Sequence, residues 1–174
     1  MTDAADTPLP SHLWKQLSAE RRLAAAEGLW RDANAIAEQG ELLGTIAQRI
    51  KFRIKSVVVM SVEKKARHVV ALPTVSEAAA ARLLVIYHVA RQRPMMGRFL
   101  DALEIAHEDG MISDEELAAP AQERLASASA TLGSAFPAED VSLYLATLIW
   151  QDPETWGGLA GLPQVSAPTV TSAA

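Results

Sequence analysis

The sequence predicts an all-α fold, an irregular multi-helix bundle of roughly six to eight short helices or a short helical stack. Apolar residues recur at three- and four-residue spacing along most of the chain. Proline and glycine divide the chain into short pieces, and no second strand-like segment is available to pair with a first. Because 49% of the 174 residues are hydrophobic, the chain can form the core of one ordinary domain.

Residues 1–10 are predicted to form a flexible leader, because two prolines interrupt regular structure there. Helices are expected to start after serines that can cap an N-terminus and to end at glycine or before proline. The expected caps are Ser11, Ser18, Ser61 and Ser76. The expected ends are Gly40, Pro73, Gly110, Gly133 and Pro153. The stack alternative rests on the similar starts at Ser18 and Ser61, whose separation is near the period of HEAT-type repeats.

Residues 50–60 fit more than one structure. Apolar and basic residues alternate over 50–55, as in a strand, and residues 57–59 are all valine. The apolar positions of the same stretch also follow helical spacing. Because an isolated strand has no partner, we expect helix to about Phe52 or Ile54, followed by an extended link.

The second half of the chain predicts further helices and then a tail. The stretch from Ala78 to Ala90 is apolar but shorter than the roughly 20 residues of a membrane span, so it predicts a core helix. Helices are also expected from Pro94, Pro120 and Pro137. Residues 157–174 are uncharged and rich in Gly, Pro, Ser and Thr, which predicts a disordered tail. A single helical domain is therefore expected over residues 11–156.

Several function classes are excluded or disfavoured by composition. The chain has no cysteine, which excludes disulfides, thiolate catalysis and cysteine-ligated metals. No nucleophile elbow, phosphate-binding glycine loop or dinucleotide fingerprint is present. The acidic N-terminus lacks the order of a signal peptide, so a cytoplasmic location without a membrane partner is expected. Enzymatic activity stays open but no motif supports it, and no cofactor is expected.

Charge is distributed very unevenly. Residues 1–48, 49–98 and 99–174 carry net charges of −3, +9 and −11, which together give the chain's −5. The basic middle holds the candidate residues for binding nucleic acid or an acidic partner: Lys51, Arg53, Lys55, Lys64, Lys65 and Arg67. The alternative is that these cations pair with the acidic C-terminal part or are simply solvated. The pI of about 5.4 argues against a dedicated nucleic-acid module.

Glu104 and His107 form a Glu-x-x-His pair, which would place a carboxylate and an imidazole on one helix face. With His88 from the preceding apolar helix, these residues are a candidate metal site. Such a pair occurs twice in di-iron bundles but once here. The alternative interpretation is a carboxylate cluster at a helix end beside a core histidine.

The segment from Ile105 to Glu116 resembles the calcium loop of an EF-hand at its glycine, Gly110, and at its last ligand position, Glu116. Ile105 and His107 occupy positions that need oxygen ligands. We therefore expect a helix–turn–helix link in which Ser113 and Glu116 form a capping box.

Tryptophans complete the set of candidates. Trp30 and Trp150 end apolar helical stripes and are expected in the core, whereas Trp14 and Trp156 flank the termini and could anchor a partner. For Trp156, packing back onto the bundle is the favoured alternative. Taken together, the sequence favours a non-enzymatic protein-interaction or regulatory module that uses charged faces. Its expected partner is another protein or a second copy of the chain. The alternatives are a nucleic-acid-binding protein through residues 49–98, and a metal-binding protein or enzyme.

Overall fold

A computed structural model describes residues 8–114 and 116–165 of the chain. Within these residues, ten α-helices are joined by short links, and one two-residue-per-strand hairpin is the exception to the helical architecture. The all-α prediction is confirmed. No helix in this part of the chain is long and apolar enough to cross a membrane.

The helices exceed the predicted number because three of them, α1, α4 and α10, are very short. In chain order the elements are α1 Pro10–Gln16, α2 Ala19–Arg31, α3 Ile36–Ile50, α4 Ile54–Val58, α5 Val62–Val70, α6 Glu77–Arg91, α7 Arg93–Ala102, β1 His107–Glu108, β2 Met111–Ile112, α8 Gln122–Ala135, α9 Ala138–Gln151, α10 Pro153–Trp156 and a 3-10 helix Gly157–Leu159.

The chain divides into two compact units, residues 9–91 and residues 92–174 together with 1–8. The N-terminal unit contains α1 to α6, and the C-terminal unit contains α7 to α10 with the hairpin. The expectation of one domain over residues 11–156 stays a prediction. Charge differs in sign between the units: their sequences carry net charges of +6 and −11.

In the N-terminal unit, α2 packs against α5 and α6, and α3 packs against α4 and α6. The predicted serine caps of α2 and α5 are confirmed: the Ser18 and Ser61 side chains accept hydrogen bonds from backbone N–H groups in the first turn. Ser76 accepts in the same way from the N–H of Ala79, at 3.1 Å. The core side chains that are fully buried include Leu29, Leu42, Ile46, Leu83 and Leu84.

In the C-terminal unit, α7 packs against α8 and the hairpin, while α9 packs against α8 and α10. Phe99 of α7 is the centre of an aromatic cluster. Its ring lies edge-on to Tyr144, with centroids 5.7 Å apart, and 5.9 Å from Trp156. Burial raises the pKa of the Tyr144 hydroxyl far above its ordinary value, because the phenolate would lose its hydration.

The predicted helix end at Gly40 is wrong. The break lies earlier, between Arg31 and Ile36, and α3 runs through Gly40 without interruption. The side-chain amide of Gln39 bridges this break, since it donates to the carbonyls of Leu29 and Asp32 at 2.7 and 2.8 Å. These bonds add to the backbone N–H groups of Asp32 and Ala35, which donate to the same two carbonyls at 3.2 Å.

The link predicted around Gly110 is also wrong. Helix α7 ends at Ala102, and the Asp109–Gly110 pair forms the two-residue turn of a β-hairpin instead of ending a helix. Both turn residues have positive φ, +49° and +85°, as a type I′ turn requires. Ser113 and Glu116 form no capping box, since the next helix begins only at Gln122.

One tryptophan expectation is wrong, since Trp150 was expected in the core, whereas Trp156 packs back onto its unit as favoured. Trp14 and Trp156 are buried in the units that contain them, whereas Trp150 is 38% exposed and donates its indole N–H to the carbonyl of Pro8. Beyond Trp156 the chain continues in a 3-10 helix and turns, and Leu159 and Val165 are buried. Order therefore extends past the predicted start of the tail. Residues 1–7 and 166–174, to which the leader and tail predictions also apply, lie outside the described residues.

Candidate binding surface

The six candidate cations fall into two groups in the N-terminal unit. Lys51, Arg53 and Lys55 lie between the end of α3 and the first turn of α4, in a stretch that we call the basic segment, residues 51–59. The other three, Lys64, Lys65 and Arg67, lie on α5.

A Schellman motif at the end of α3 determines how the basic segment begins. Lys51 has a left-handed conformation, with φ of +57°, and the N–H of Phe52 donates to the carbonyl of Ala47 at 2.9 Å. The chain leaves the helix in an extended conformation at Arg53, whose ψ is 144°. The structure of residues 50–60 is thus a helix end followed by a new short helix, not the strand or the long extended link.

Helix α4 exposes most of its apolar side chains. Val57 is fully buried and anchors the helix against α3, but Phe52, Ile54, Val58 and Val59 have exposed fractions of 49% to 83%. Most of the large apolar side chains that are exposed in the described part of the N-terminal unit are these four. A cluster of this kind on a folded surface is typical of an interaction site.

The cations of the basic segment are not neutralised locally. Within the described residues of the N-terminal unit, Lys51, Arg53 and Lys55 form no ion pair. The sequence contains no carboxylate from Leu42 to Val62. The basic segment therefore combines exposed apolar side chains with cations that have no ion-pair partner among the described residues of its unit.

One of the cations of α5, Lys65, has a close partner. The ammonium of Lys65 lies 4.9 Å from the ring centroid of Trp30, in a cation–π contact. Glu63 lies 3.7 Å from Arg31. Its own backbone N–H in the first turn of α5, then the Ser61 hydroxyl and the Arg31 guanidinium, lower the pKa of the Glu63 carboxyl. We therefore place the centre of the candidate surface on the basic segment, with Lys64 and Arg67 as exposed neighbours in the sequence.

The Glu-x-x-His pair does not lie on one helix face. Glu104 follows the end of α7 with φ of +58°, and His107 lies in β1. The His107 Nε2 is 2.9 Å from an Asp101 carboxylate oxygen, and its Nδ1 accepts the backbone N–H of Gly110 at 3.0 Å. Both ring nitrogens are thus engaged, and the Glu104 carboxylate pairs with Arg124.

His88 belongs to the N-terminal unit, in α6, where it is buried with its ring edge-on to Tyr87. Burial lowers its pKa to about 4, because the imidazolium would lose its hydration. Among residues 8–114 and 116–165, no three His, Asp or Glu side chains are grouped as a metal ion would require. The metal site of His88, Glu104 and His107 stays a prediction without geometric support.

A second charged surface lies in the C-terminal unit and was not predicted from the sequence. We call residues 104–114 and 116 the acidic hairpin. Glu108, Asp109 and Asp114 are exposed there, and Met111 has an exposed fraction of 43%. The signal for it was the Asp-Gly dipeptide, which is typical of tight hairpin turns.

Contacts with α7 hold the acidic hairpin in place. The Arg93 guanidinium bonds the carbonyl and the carboxylate of Asp109, at 3.2 and 3.4 Å. Gly110 lies so close to α7 that an added Cβ would be 2.8 Å from the Met96 Cβ. The hairpin is therefore a positioned element of the unit.

Comparison of the chain with protein-family models, with curated proteins and with solved structures finds no match in any of the three. Function must then be inferred from the geometry and chemistry of the chain's own residues.

Proposed function

We propose that this protein is a non-enzymatic interaction module that binds an acidic protein partner through the basic segment. The observation that carries the proposal is the combination, over residues 51–59, of exposed apolar side chains with cations that pair with no described carboxylate of the N-terminal unit. A solvated charged face would have the cations without Phe52, Ile54, Val58 and Val59.

The two kinds of side chain would contribute differently to binding. Covering the apolar side chains supplies affinity at about 25 cal/mol per Å² removed from water. The cations attract an acidic surface over a distance of about one Debye length and set the orientation of the encounter. Binding should therefore weaken with salt but not vanish as a purely ionic contact would.

Nucleic acid is the second candidate, because Lys64 and Arg67 on α5 extend the positive charge beyond the basic segment. Ile54, Val58 and Val59 favour a protein partner, since bases stack on aromatic rings and Phe52 is the one aromatic residue in the basic segment. A mobility-shift experiment with random DNA and RNA at low salt tests this candidate. A shift at micromolar protein would favour nucleic acid, because the phosphate attraction is strongest under these conditions.

The main experiment is affinity capture from cell lysate with three forms of the full chain. The first is the wild type and the second carries Lys51→Glu, Arg53→Glu and Lys55→Glu. The third is a matched control with the same change in net charge at three exposed cations outside the basic segment: Lys15→Glu, Arg91→Glu and Arg98→Glu.

We expect a set of acidic proteins that the wild type and the control capture at low salt and that the basic-segment variant loses. Raising the salt should remove the same set. If all three forms capture the same proteins at both salt concentrations, the basic segment is not a binding surface and the proposal is wrong.

A further inference from the structure

We infer that the partner of the basic segment is the acidic hairpin of a second copy of this chain, so that the protein self-associates through two different surfaces. This inference rests on the proposed function, because it names the occupant of the same surface. It goes further by assigning a role to a surface in the C-terminal unit.

The two surfaces are opposite in charge over comparable lengths of sequence. From Leu42 to Val62 the chain has four cations and no carboxylate. From Phe99 to Glu123 it has eight carboxylates and neither lysine nor arginine. Complementary fields of this kind favour the encounter of unlike surfaces and penalise the contact of like ones.

Each surface also offers apolar contact beside its charges. In the acidic hairpin the exposed Met111 lies across the hairpin from Glu108, its partner in the β-ladder. In the basic segment, Ile54 and Val58 are one helical turn apart and lie on the same side of α4, next to Lys55. A flexible methionine can adapt to such an aliphatic surface.

Each surface is held in place by contacts within its own unit, without a bound partner. The hydrogen bonds of His107 and Arg93 fix the acidic hairpin on α7, and buried Val57 fixes α4 on α3. Positioned surfaces lose less conformational entropy on association than mobile loops do.

The contact joins unlike surfaces, so each copy can use both. Two copies can exchange two equivalent contacts in a closed dimer, or copies can continue into a ring or chain. In either arrangement the association depends on protein concentration and on ionic strength.

Sedimentation of the full chain at low and high salt tests the inference. We expect the wild type to self-associate at about 50 mM salt, with an apparent dissociation constant at least about tenfold higher near 500 mM. The control variant carrying Lys15→Glu, Arg91→Glu and Arg98→Glu should associate like the wild type.

Charge reversal of each surface gives a more specific test than the salt dependence. One variant carries Lys51→Glu, Arg53→Glu and Lys55→Glu, and the other carries Glu108→Lys, Asp114→Lys and Glu116→Lys. Alone, each opposes like charges and should self-associate at least about tenfold more weakly than the wild type. Mixed in equal amounts, they restore unlike charges at every contact, so association should return. Circular dichroism shows whether each is folded, and recovery on mixing requires that both are.

Two results would overturn the inference. One is a wild type that remains monomeric at low salt and the highest attainable concentration. The other is a mixture of the two reversed variants that associates no better than either alone. If lysate capture still depends on the basic segment in these cases, the occupant is another acidic protein and the proposed function stands. If neither capture nor self-association depends on that segment, both are wrong.

Discussion

Gly110→Ala tests whether the acidic hairpin is held against α7. A Cβ at this position would lie 2.8 Å from the Met96 Cβ and 3.2 Å from both the Arg93 carbonyl oxygen and the Gly97 backbone nitrogen. Two of these three atoms are backbone of α7, so they cannot move aside as a side-chain end can. The hairpin would have to separate from the helix, which would disturb the bonds of Arg93 to Asp109.

The size of the effect follows from two contributions. At φ of +85°, alanine is disfavoured by about 1–2 kcal/mol relative to glycine. Overpacking against α7 adds about 1–3 kcal/mol, which gives a total of about 2–5 kcal/mol. Gly161 separates the two contributions, because it has nearly the same φ, +84°, but no atom within 4 Å of an added Cβ. Gly161→Ala should therefore destabilise the protein by about 1–2 kcal/mol.

Urea denaturation of the three proteins gives the free energies of unfolding. Far-UV circular dichroism follows the helices, and tryptophan fluorescence follows the burial of the four indoles, among them Trp156, which contacts Phe99 of α7. We expect Gly110→Ala to lower the free energy of unfolding by about 1–3 kcal/mol more than Gly161→Ala. Equal effects of the two substitutions would mean that the close approach of Gly110 to α7 is absent in solution, and the acidic hairpin would lose its fixed position.

Three further predictions concern the N-terminal unit. The ordinary pKa of His88 is 6.5 and burial lowers it to about 4, so the unfolded state takes up a proton first as pH falls. The free energy of unfolding should be unaffected by His88 above pH 6.5 and should decrease toward pH 4, by about 2 kcal/mol at pH 5. His88→Gln should remove this part of the pH dependence, and parallel pH profiles of the variant and the wild type would contradict the prediction. Gly28→Ala places a Cβ 2.6 Å from Ile86 and should destabilise the protein by about 1 kcal/mol. Gly44→Ala meets no atom within 4 Å and should stabilise the protein by about 1 kcal/mol, which thermal unfolding of both variants measures. Effects of the same sign would refute the close packing of α2 on α6. Lys51→Gly should raise the free energy of unfolding by about 1 kcal/mol because it relieves the left-handed conformation, and a loss of stability would contradict that conformation.

Helices were predictable where local chemistry decides them. Ser18 and Ser61 cap the helices that they were expected to cap, because a serine oxygen can accept a first-turn N–H. Ser11 does not, because it lies inside α1 and its hydroxyl donates to the Glu77 carboxylate. The helix end predicted at Gly40 was wrong because a glycine inside an exposed helix destabilises it by only about 1 kcal/mol, and the packing of the rest of α3 stabilises the helix by more than that. The hairpin at Gly110 was missed because strands of two residues are too short to show an alternating pattern.

The candidate surface was predictable in its charge but not in its apolar part. The sequence shows three consecutive valines, and nothing in their composition distinguishes buried Val57 from exposed Val58 and Val59. The distinction follows from the helical phase of α4, which depends on where α3 ends. That end depends on Lys51 adopting a conformation that sequence patterns assign to glycine.

The two charged surfaces share a backbone feature at their first residue, a left-handed conformation at the end of a helix. Each begins at a Schellman motif whose left-handed position holds a long charged residue, Lys51 after α3 and Glu104 after α7. Glycine would be more stable at both positions by about 1 kcal/mol. At Glu104 the charge has a structural partner, because its carboxylate pairs with Arg124 in the same unit. Lys51 has no such pair among the described residues of its unit, so the strain at Lys51, unlike that at Glu104, favours a role in binding.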